Sequence, residues 1–364
     1  MFERTSIIAE AGVNHNGSLE LAKRLIDVAA EAGADFVKFQ TFKSSDVLTS
    51  RAQKADYQKA RTDAHQNQLD MVRKLELSPD DHFELVEHCK SRSIALVSTP
   101  FDIVSANFLV DDLKVDFVKV SSGDLTNAPF LLHLAGLGAP ILLSTGMGLL
   151  GEIEDALGVL AFGYLKPAGV RPERSAFCAA YRSAQGQFVL AEKVSLLHCT
   201  TEYPAPIDCT NLRAMDTLKQ AFGLRTGFSD HTPGIHVPIA AVARGASIIE
   251  KHLTLDREMS GPDHRASLEP AQFADMVSSI RDVEQALGSG RKMPTRAEIS
   301  NMTVARRSIV AARKIEPGEV FSADMLTTKR PGDGLAPMEL FALIGRPARR
   351  AYAADEAIDG VERG

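Results

Sequence analysis

Hydrophobic positions along the chain alternate between two patterns. Short apolar runs of strand length stand at 6–9, 36–40, 94–99, 117–120, 141–144, 194–199, 224–229 and 247–253. Between them lie stretches with apolar residues at helical spacing, among them 129–137, 153–162, 212–222, 237–244 and 270–287. The first helix shows the grammar in full. Ser18 is placed to cap it, Leu21, Leu25, Val28, Ala29 and Ala32 recur on one face, and Gly33 stops it. Ser78 and Pro79 open another helix in the same way, cap then proline in the first turn. Strands that alternate with helices pair in parallel, and eight such strands close a barrel. The fold class expected is therefore α/β, a (β/α)8 TIM barrel. A doubly wound open sheet competes, but it wants GxGxxG after the first strand, and this chain has GVNHNG there.

Three stretches break the alternation. The polar excursion 41–76 is too long for a routine connection and reads as a candidate lid or substrate loop. The segment 163–193 reads as an ordered insertion, and GSGRKMPTR, starting at Gly288, as a linker. Beyond it come short segments at 308–311 and 325–328 separated by Pro-Gly turns, the pattern of a small β-rich module. The expected domains are a barrel at 1–287, a linker at 288–304 and the module at 305–364. So small a module has little core of its own and is expected to pack on another surface.

Composition narrows the class. At 364 residues the chain suits one barrel of roughly 250 residues plus a small module. A hydrophobic share of 45% with 24% charged residues is that of an ordinary soluble globular protein. The net charge of −6 and the lack of a basic run argue against a nucleic acid partner. No apolar run approaches the ~18 residues of a membrane span, and the opening MFERTSIIAEAG is not a signal segment. Cys89, Cys178, Cys199 and Cys209 form no CxxC pair, which points to reduced thiols and a cytoplasmic location.

In such barrels the chemistry sits where strands end. The polar residues near those ends are Glu10, Lys38, Gln40, Thr99, Lys119, Ser122, Thr145, His198, Tyr203, Ser229, His231, Glu250 and His252. A lysine pointing into a barrel needs an anionic partner, either a buried carboxylate or a substrate phosphate or carboxylate. His231 and His252 end neighbouring strands and could share one ion, with Glu250 on the face of His252. Ordinary strand-end histidines with structural hydrogen bonds are the other reading. The residues by themselves leave two enzymatic routes open: a Schiff-base aldolase with a nucleophilic lysine and no metal, or a metal-dependent condensation.

The motifs IIAEAGVNHNGS, FVKFQTF, STPFD, VKVSSGD, ILLSTGM, LLHCTTEYPAP, GFSDHT, IIEKHLT and GPDH, followed by KRPGDG, run in order along nearly the whole chain. In this the chain resembles the N-acylneuraminate (sialic acid) synthase family with its C-terminal antifreeze-like (SAF) module. The resemblance implies an enzyme that condenses phosphoenolpyruvate with an N-acetylated mannosamine-type sugar, releasing phosphate. Carried over by position, it implies His231 and His252 as ligands of a divalent ion, Mn²⁺ foremost, with Mg²⁺ or Co²⁺ as alternatives. It implies Glu10 as acid/base, and Lys38, Thr99, Lys119, Ser122 and Ser229 around the phosphate and carboxylate of phosphoenolpyruvate, with Thr145 and Glu250 counted in the same substrate site. Gln40 and Tyr203 would face the sugar. Arg330 would reach the N-acyl group from the partner subunit, which implies a domain-swapped homodimer. Thr201 stands where the sialic acid branch usually has asparagine. With the 163–193 insertion, that resembles the legionaminic acid branch, which acts on 2,4-diacetamido-2,4,6-trideoxyhexoses. Another phosphoenolpyruvate-condensing barrel acting on a phosphorylated aldose, and a non-catalytic sugar-binding protein, are the remaining alternatives.

Overall fold

The computed structural model describes residues 4–47, 49 and 67–359. They form two compact units, Met1–Gly288 and Ser289–Gly364. In the first, eight strands close a barrel in chain order: β1 Ser6–Gly12, β2 Phe36–Thr41, β3 Ala95–Pro100, β4 Val118–Val120, β5 Ile141–Ser144, β6 Val194–Cys199, β7 Arg225–Asp230 and β8 Ile248–His252. Every pairing is parallel, including β8 with β1.

Helices surround the strands and bury apolar faces against them. Leu19–Glu31 buries Ala22, Leu25, Ile26 and Ala29, and Ser18 caps it by accepting from the Leu21 N–H. Pro79–Ser91 carries a full capping box between Ser78 and Asp81. Two apolar clusters fill the space between barrel and helices, one around Leu25, Phe39, Ile249 and Phe273, the other around Leu131, Leu143, Leu160 and Leu196.

The segment 163–193 is helical: Leu150–Leu165 runs into it, and Arg174–Arg182 and Ala184–Lys193 follow. The expected lid 41–76 lies for the most part outside the described residues; at its two ends stand the short helices Ser44–Val47 and Gln68–Arg73.

The linker expected at 288–304 is corrected. Its second half lies wholly in the helix Arg296–Ala305, which starts with a capping box between Thr295 and Glu298. Composition suggested a linker because glycine and basic residues crowd its first half, while the Thr-x-x-Glu start signal sits just behind them. After it, β9 Ser308–Ala311 pairs antiparallel with β10 Leu326–Lys329. This unit has its own small core of Ile309, Ile315, Phe321, Leu343, Tyr352 and Ile358 with their neighbours.

Candidate active site

The barrel interior is layered. Its lower layer is an apolar cluster of Ile8, Val97, Leu142, Leu197 and Ile248, with Phe36 and Phe117 packed against it. Side chains on one face of a strand recur every second residue. The next inward positions are therefore Glu10, Lys38, Thr99, Lys119, Ser144, Cys199 and Glu250, and all of them line one cavity of about 400 Å³. In β7 the matching lower position is Gly227. A Cβ there would lie 2.4 Å from the Ile248 carbonyl oxygen, so the close approach of β8 demands glycine. Ser229 follows at the same parity, and His231 lies just past the strand end; both line the cavity.

Register brings the charged groups together. Glu10 stands opposite Lys38 on one side and His252 on the other, and Ser229 stands opposite Glu250. The Lys38 ammonium lies 2.8 Å from Glu10 and 3.2 Å from Glu250, and it donates to the Thr99 hydroxyl at 3.1 Å. Lys119 lies 3.2 Å from the other oxygen of Glu250, and Ser229 donates to that same oxygen at 2.7 Å. Of the two anionic partners open to the lysines, the structure shows buried carboxylates.

The two carboxylates differ in electrostatic standing. Burial pushes Glu10 up to about 7, against the pull of Lys38. Burial also opposes the charge on Glu250, but Lys119, Lys38 and the Ser229 hydroxyl outweigh it and hold the carboxylate well below its usual range. Burial alone would weaken the hold of Lys38 on its proton; Glu10 and Glu250 reverse that and raise its pKa. Glu250 is thus a fixed anion between two lysines, and Glu10 is the group whose proton can move near neutral pH.

The histidines stand at the same rim. Their ring centroids are 5.4 Å apart, and the Tyr203 ring lies 4.2 Å from His231 and 5.7 Å from His252. His231 Nδ1 is 2.6 Å from the Thr200 carbonyl oxygen. A carbonyl only accepts, so Nδ1 carries the proton and Nε2 keeps its lone pair. His252 Nδ1 is buried with no hydrogen-bond partner. Burial lowers His231 to about 4 and takes His252 well below its usual value, so both rings are neutral at pH 7. Among the described residues no group of three or more His, Cys, Asp and Glu side chains is arranged to hold a metal ion. An ion at this rim would take two imidazoles from the chain and the rest of its shell from water or substrate.

Gln40, Ser122 and Tyr203 also line the cavity, Gln40 with its amide 3.5 Å from Glu10. Thr145 is corrected. Ser144 takes the inward position, and the Thr145 hydroxyl donates instead to the Leu197 carbonyl at 2.9 Å. His198 has the outward parity of β6, with Nε2 2.8 Å from the Thr210 carbonyl oxygen and its ring against Phe228. Arg330 belongs to the second unit, where it is exposed.

Cys199, Thr201 and Asp263 are among the lining residues that the sequence did not nominate as site members. The Ser122 hydroxyl accepts from the Gly146 N–H at 3.0 Å and lies 3.2 Å from Cys199 Sγ, and Thr201 lines the same cavity. Strand parity could have found Cys199. Asp263 lies on the loop after β8, where no periodicity marks it; burial raises its carboxyl to about 6.

Comparison with known proteins agrees with this architecture. Residues 25–292 match the NeuB family and residues 306–360 the SAF domain. The chain is 47% identical to the N,N'-diacetyllegionaminic acid synthase of Campylobacter jejuni, over 98% of this chain and 99% of that one. It is 43% identical to the enzyme of the same name from Legionella pneumophila, over 93% and 89%. Among solved structures, the N-acetylneuraminic acid (sialic acid) synthetase of Leptospira borgpetersenii, in complex with citrate, superposes with a TM-score of 0.66 at 32% identity, covering 82% of this chain and 90% of that one. A barrel with this reactive layer, matched by the family model over most of its length and by relatives end to end, places the chain in the NeuB family, with a SAF domain at its C-terminal end.

Proposed function

We propose that this chain condenses phosphoenolpyruvate with 2,4-diacetamido-2,4,6-trideoxymannose to give N,N'-diacetyllegionaminic acid and inorganic phosphate, with cleavage of the C–O bond. The names of its Campylobacter and Legionella relatives support the product. The observation that carries the chemistry is the buried set of Lys38, Lys119, Glu10 and Glu250 beneath two neutral histidines. The two ammoniums, with the hydroxyls of Thr99, Ser122 and Ser229, form a preorganised seat for the phosphate and carboxylate of phosphoenolpyruvate. Entry of that anion adds a counter-charge beside both lysines, which already rest on Glu10 and Glu250.

His231 and His252 fit a divalent ion, because one has its Nε2 lone pair free and the other holds a buried ring nitrogen without a partner. Mn²⁺ is the ion we assign, with Mg²⁺ and Co²⁺ as alternatives; when bound, it would polarise the sugar aldehyde. Attack on that aldehyde by C3 of phosphoenolpyruvate leaves positive character at C2. Glu10 takes the proton of the water that adds there, and the resulting tetrahedral carbon expels phosphate. Gln40, Tyr203 and Asp263 face the sugar side of the cavity in this reading. Arg330 of the partner subunit reaches the N-acyl group, in a domain-swapped homodimer. The reaction runs in the cytoplasm, consistent with four free thiols. No helix among the described residues is long and apolar enough to cross a membrane.

The test is phosphate release from phosphoenolpyruvate with Mn²⁺, using the trideoxy sugar or N-acetylmannosamine, before and after chelation. Chelator-sensitive release that favours the trideoxy sugar is expected. Preference for N-acetylmannosamine would move the chain to the sialic acid branch, and no release with either would sink the reading.

A further inference from the structure

The loop after β8 is closed at its base by backbone alone. Leu253 and Leu268 bridge there, the Thr254 N–H donates to the Leu268 carbonyl at 2.9 Å, and the Leu268 N–H donates to the His252 carbonyl at 2.8 Å. Between those ends lie Pro262 and Asp263, and both line the cavity. Asp263 is buried. Among the described residues no hydrogen-bond donor holds its carboxyl, and only the charge of Lys38 opposes the effect of burial. Where that carboxyl stands is therefore set by the backbone that carries it.

That backbone is held from the turn that follows β1. Asn14, also buried, donates its two amide protons to the Leu253 carbonyl and to the Ser267 hydroxyl, both at 2.9 Å. Ser267 is fully buried and donates in turn to the carbonyl of Asp263 at 2.7 Å. A hydroxyl has one proton, so accepting from Asn14 while donating to Asp263 fixes the direction of the relay. Farther along the loop, Asn16 donates to the Ser260 carbonyl at 2.9 Å. Gly261 sits between the two holds at a φ of +150°, and a Cβ there would fall 2.8 Å from Asn16 Oδ1. Loop closure does not need this relay, because the backbone bonds at the base already supply it. The relay also leaves Asn14 Oδ1 buried without a partner, which costs stability. What it adds is the placement of Asp263.

We propose that Asn14, Asn16 and Ser267 are positioning residues for Asp263, holding its carboxyl in the cavity to accept a hydroxyl or amide N–H of the sugar. This deepens the reading above, which puts Asp263 on the sugar side, and rests on it. The groups assigned to phosphoenolpyruvate stand on or just after β2, β3, β4 and β7, none of which the relay touches. A slack relay should therefore weaken the sugar and spare phosphoenolpyruvate.

The experiment measures kcat and the KM of each substrate in the wild type, Asn14→Ala, Ser267→Ala, Asn16→Ala, Asp263→Ala, and Ser267→Ala combined with Asp263→Ala. Ser267→Ala and Asn14→Ala are each expected to raise the sugar KM by about 10-fold and to leave that of phosphoenolpyruvate within about 2-fold. Asn16 is only half-buried, so Asn16→Ala keeps the test open should the two buried variants fold poorly. It should raise the sugar KM by about 3-fold with the same selectivity. In the Asp263→Ala background, Ser267→Ala should add less than about 2-fold, because the group it positions is already gone. An even rise in both KM values, or an undiminished effect of Ser267→Ala without the Asp263 carboxyl, overturns the inference. A wild type that releases no phosphate with either sugar overturns the reading above and the relay with it. An active wild type whose variants affect both substrates evenly overturns the relay alone.

Discussion

Lys251 and Asp230 form a fully buried ion pair at 2.5 Å, and each is the chain neighbour of a cavity histidine, His252 and His231. The pair lies on the outward face of β7 and β8, opposite to the histidines, and Asp230 is registered directly against Lys251. Lys251 also donates to the Thr232 carbonyl, and Asp230 accepts from the Thr232 N–H at 2.9 Å. The two strand ends are therefore pinned from behind, which sets where both imidazoles stand. Removing one member leaves the other charge buried and unpaired, at a cost of about 3–5 kcal/mol. Lys251→Met and Asp230→Asn should each lower the urea midpoint strongly, and the double variant should recover part of the loss. If the double variant is as unstable as the sum of the singles, the pair is not coupled as drawn.

Glu10 predicts a pH profile. Its carboxyl, raised by burial to about 7, must be ionised to accept a proton, so kcat/KM should rise with pH along a limb centred near 7. Glu10→Gln should remove that limb and most of the activity. The same shift has a stability consequence. The folded state holds this proton between the ordinary value of 4.5 and about 7, where the unfolded chain has released it. Glu10 therefore makes stability fall as pH rises through that window. Denaturation of Glu10→Gln against the wild type at pH 5 and pH 8 reads the difference directly.

Lys38 touches both carboxylates, so Lys38→Met should act on more than substrate charge. It leaves Glu10 facing the Glu250 anion without the ammonium between them. The Glu10 carboxyl should then ionise at still higher pH, and kcat should fall by at least about 100-fold. A pH limb that stays near 7 in this variant would contradict the electrostatic account.

Metal binding can be read without turnover. With an ion held by His231 and His252, saturating Mn²⁺ at about 100 times its Kd should add about 2.7 kcal/mol to unfolding, visible as a rise in Tm. EDTA should reverse the rise, and His231→Ala and His252→Ala should each abolish it. Both rings are buried and neutral, and His231 stays so down to about 4, so the rise should survive to mildly acidic pH.

Gly227 offers a test of the layered interior. Alanine there would press on the Ile248 carbonyl and the Leu197 side chain, so Gly227→Ala should cost about 1–3 kcal/mol in urea unfolding. A neutral result would mean that β7 and β8 can separate more readily than their contact suggests.

Much of this protein was legible in one dimension. Strand and helix periods, with caps such as Ser18 and Ser78, specified eight alternating units, because side-chain direction repeats every two residues in a strand and every 3.6 in a helix. Motif order pointed to the NeuB family, and strand ends nominated Glu10, Lys38, Lys119, His231 and His252 before any contact was known. What tertiary structure decided was facing and partnership. Barrel closure and register chose Ser144 over Thr145, turned His198 outward and set Lys38 between Glu10 and Glu250. It also brought Asp263 to the cavity from a loop without a period. Local sequence sets what each segment becomes, because propensity and period act over a few residues. Which charges set the proton affinity of one another depends on groups up to 240 positions apart, such as Glu10 and Glu250, and only the closed barrel brings these together.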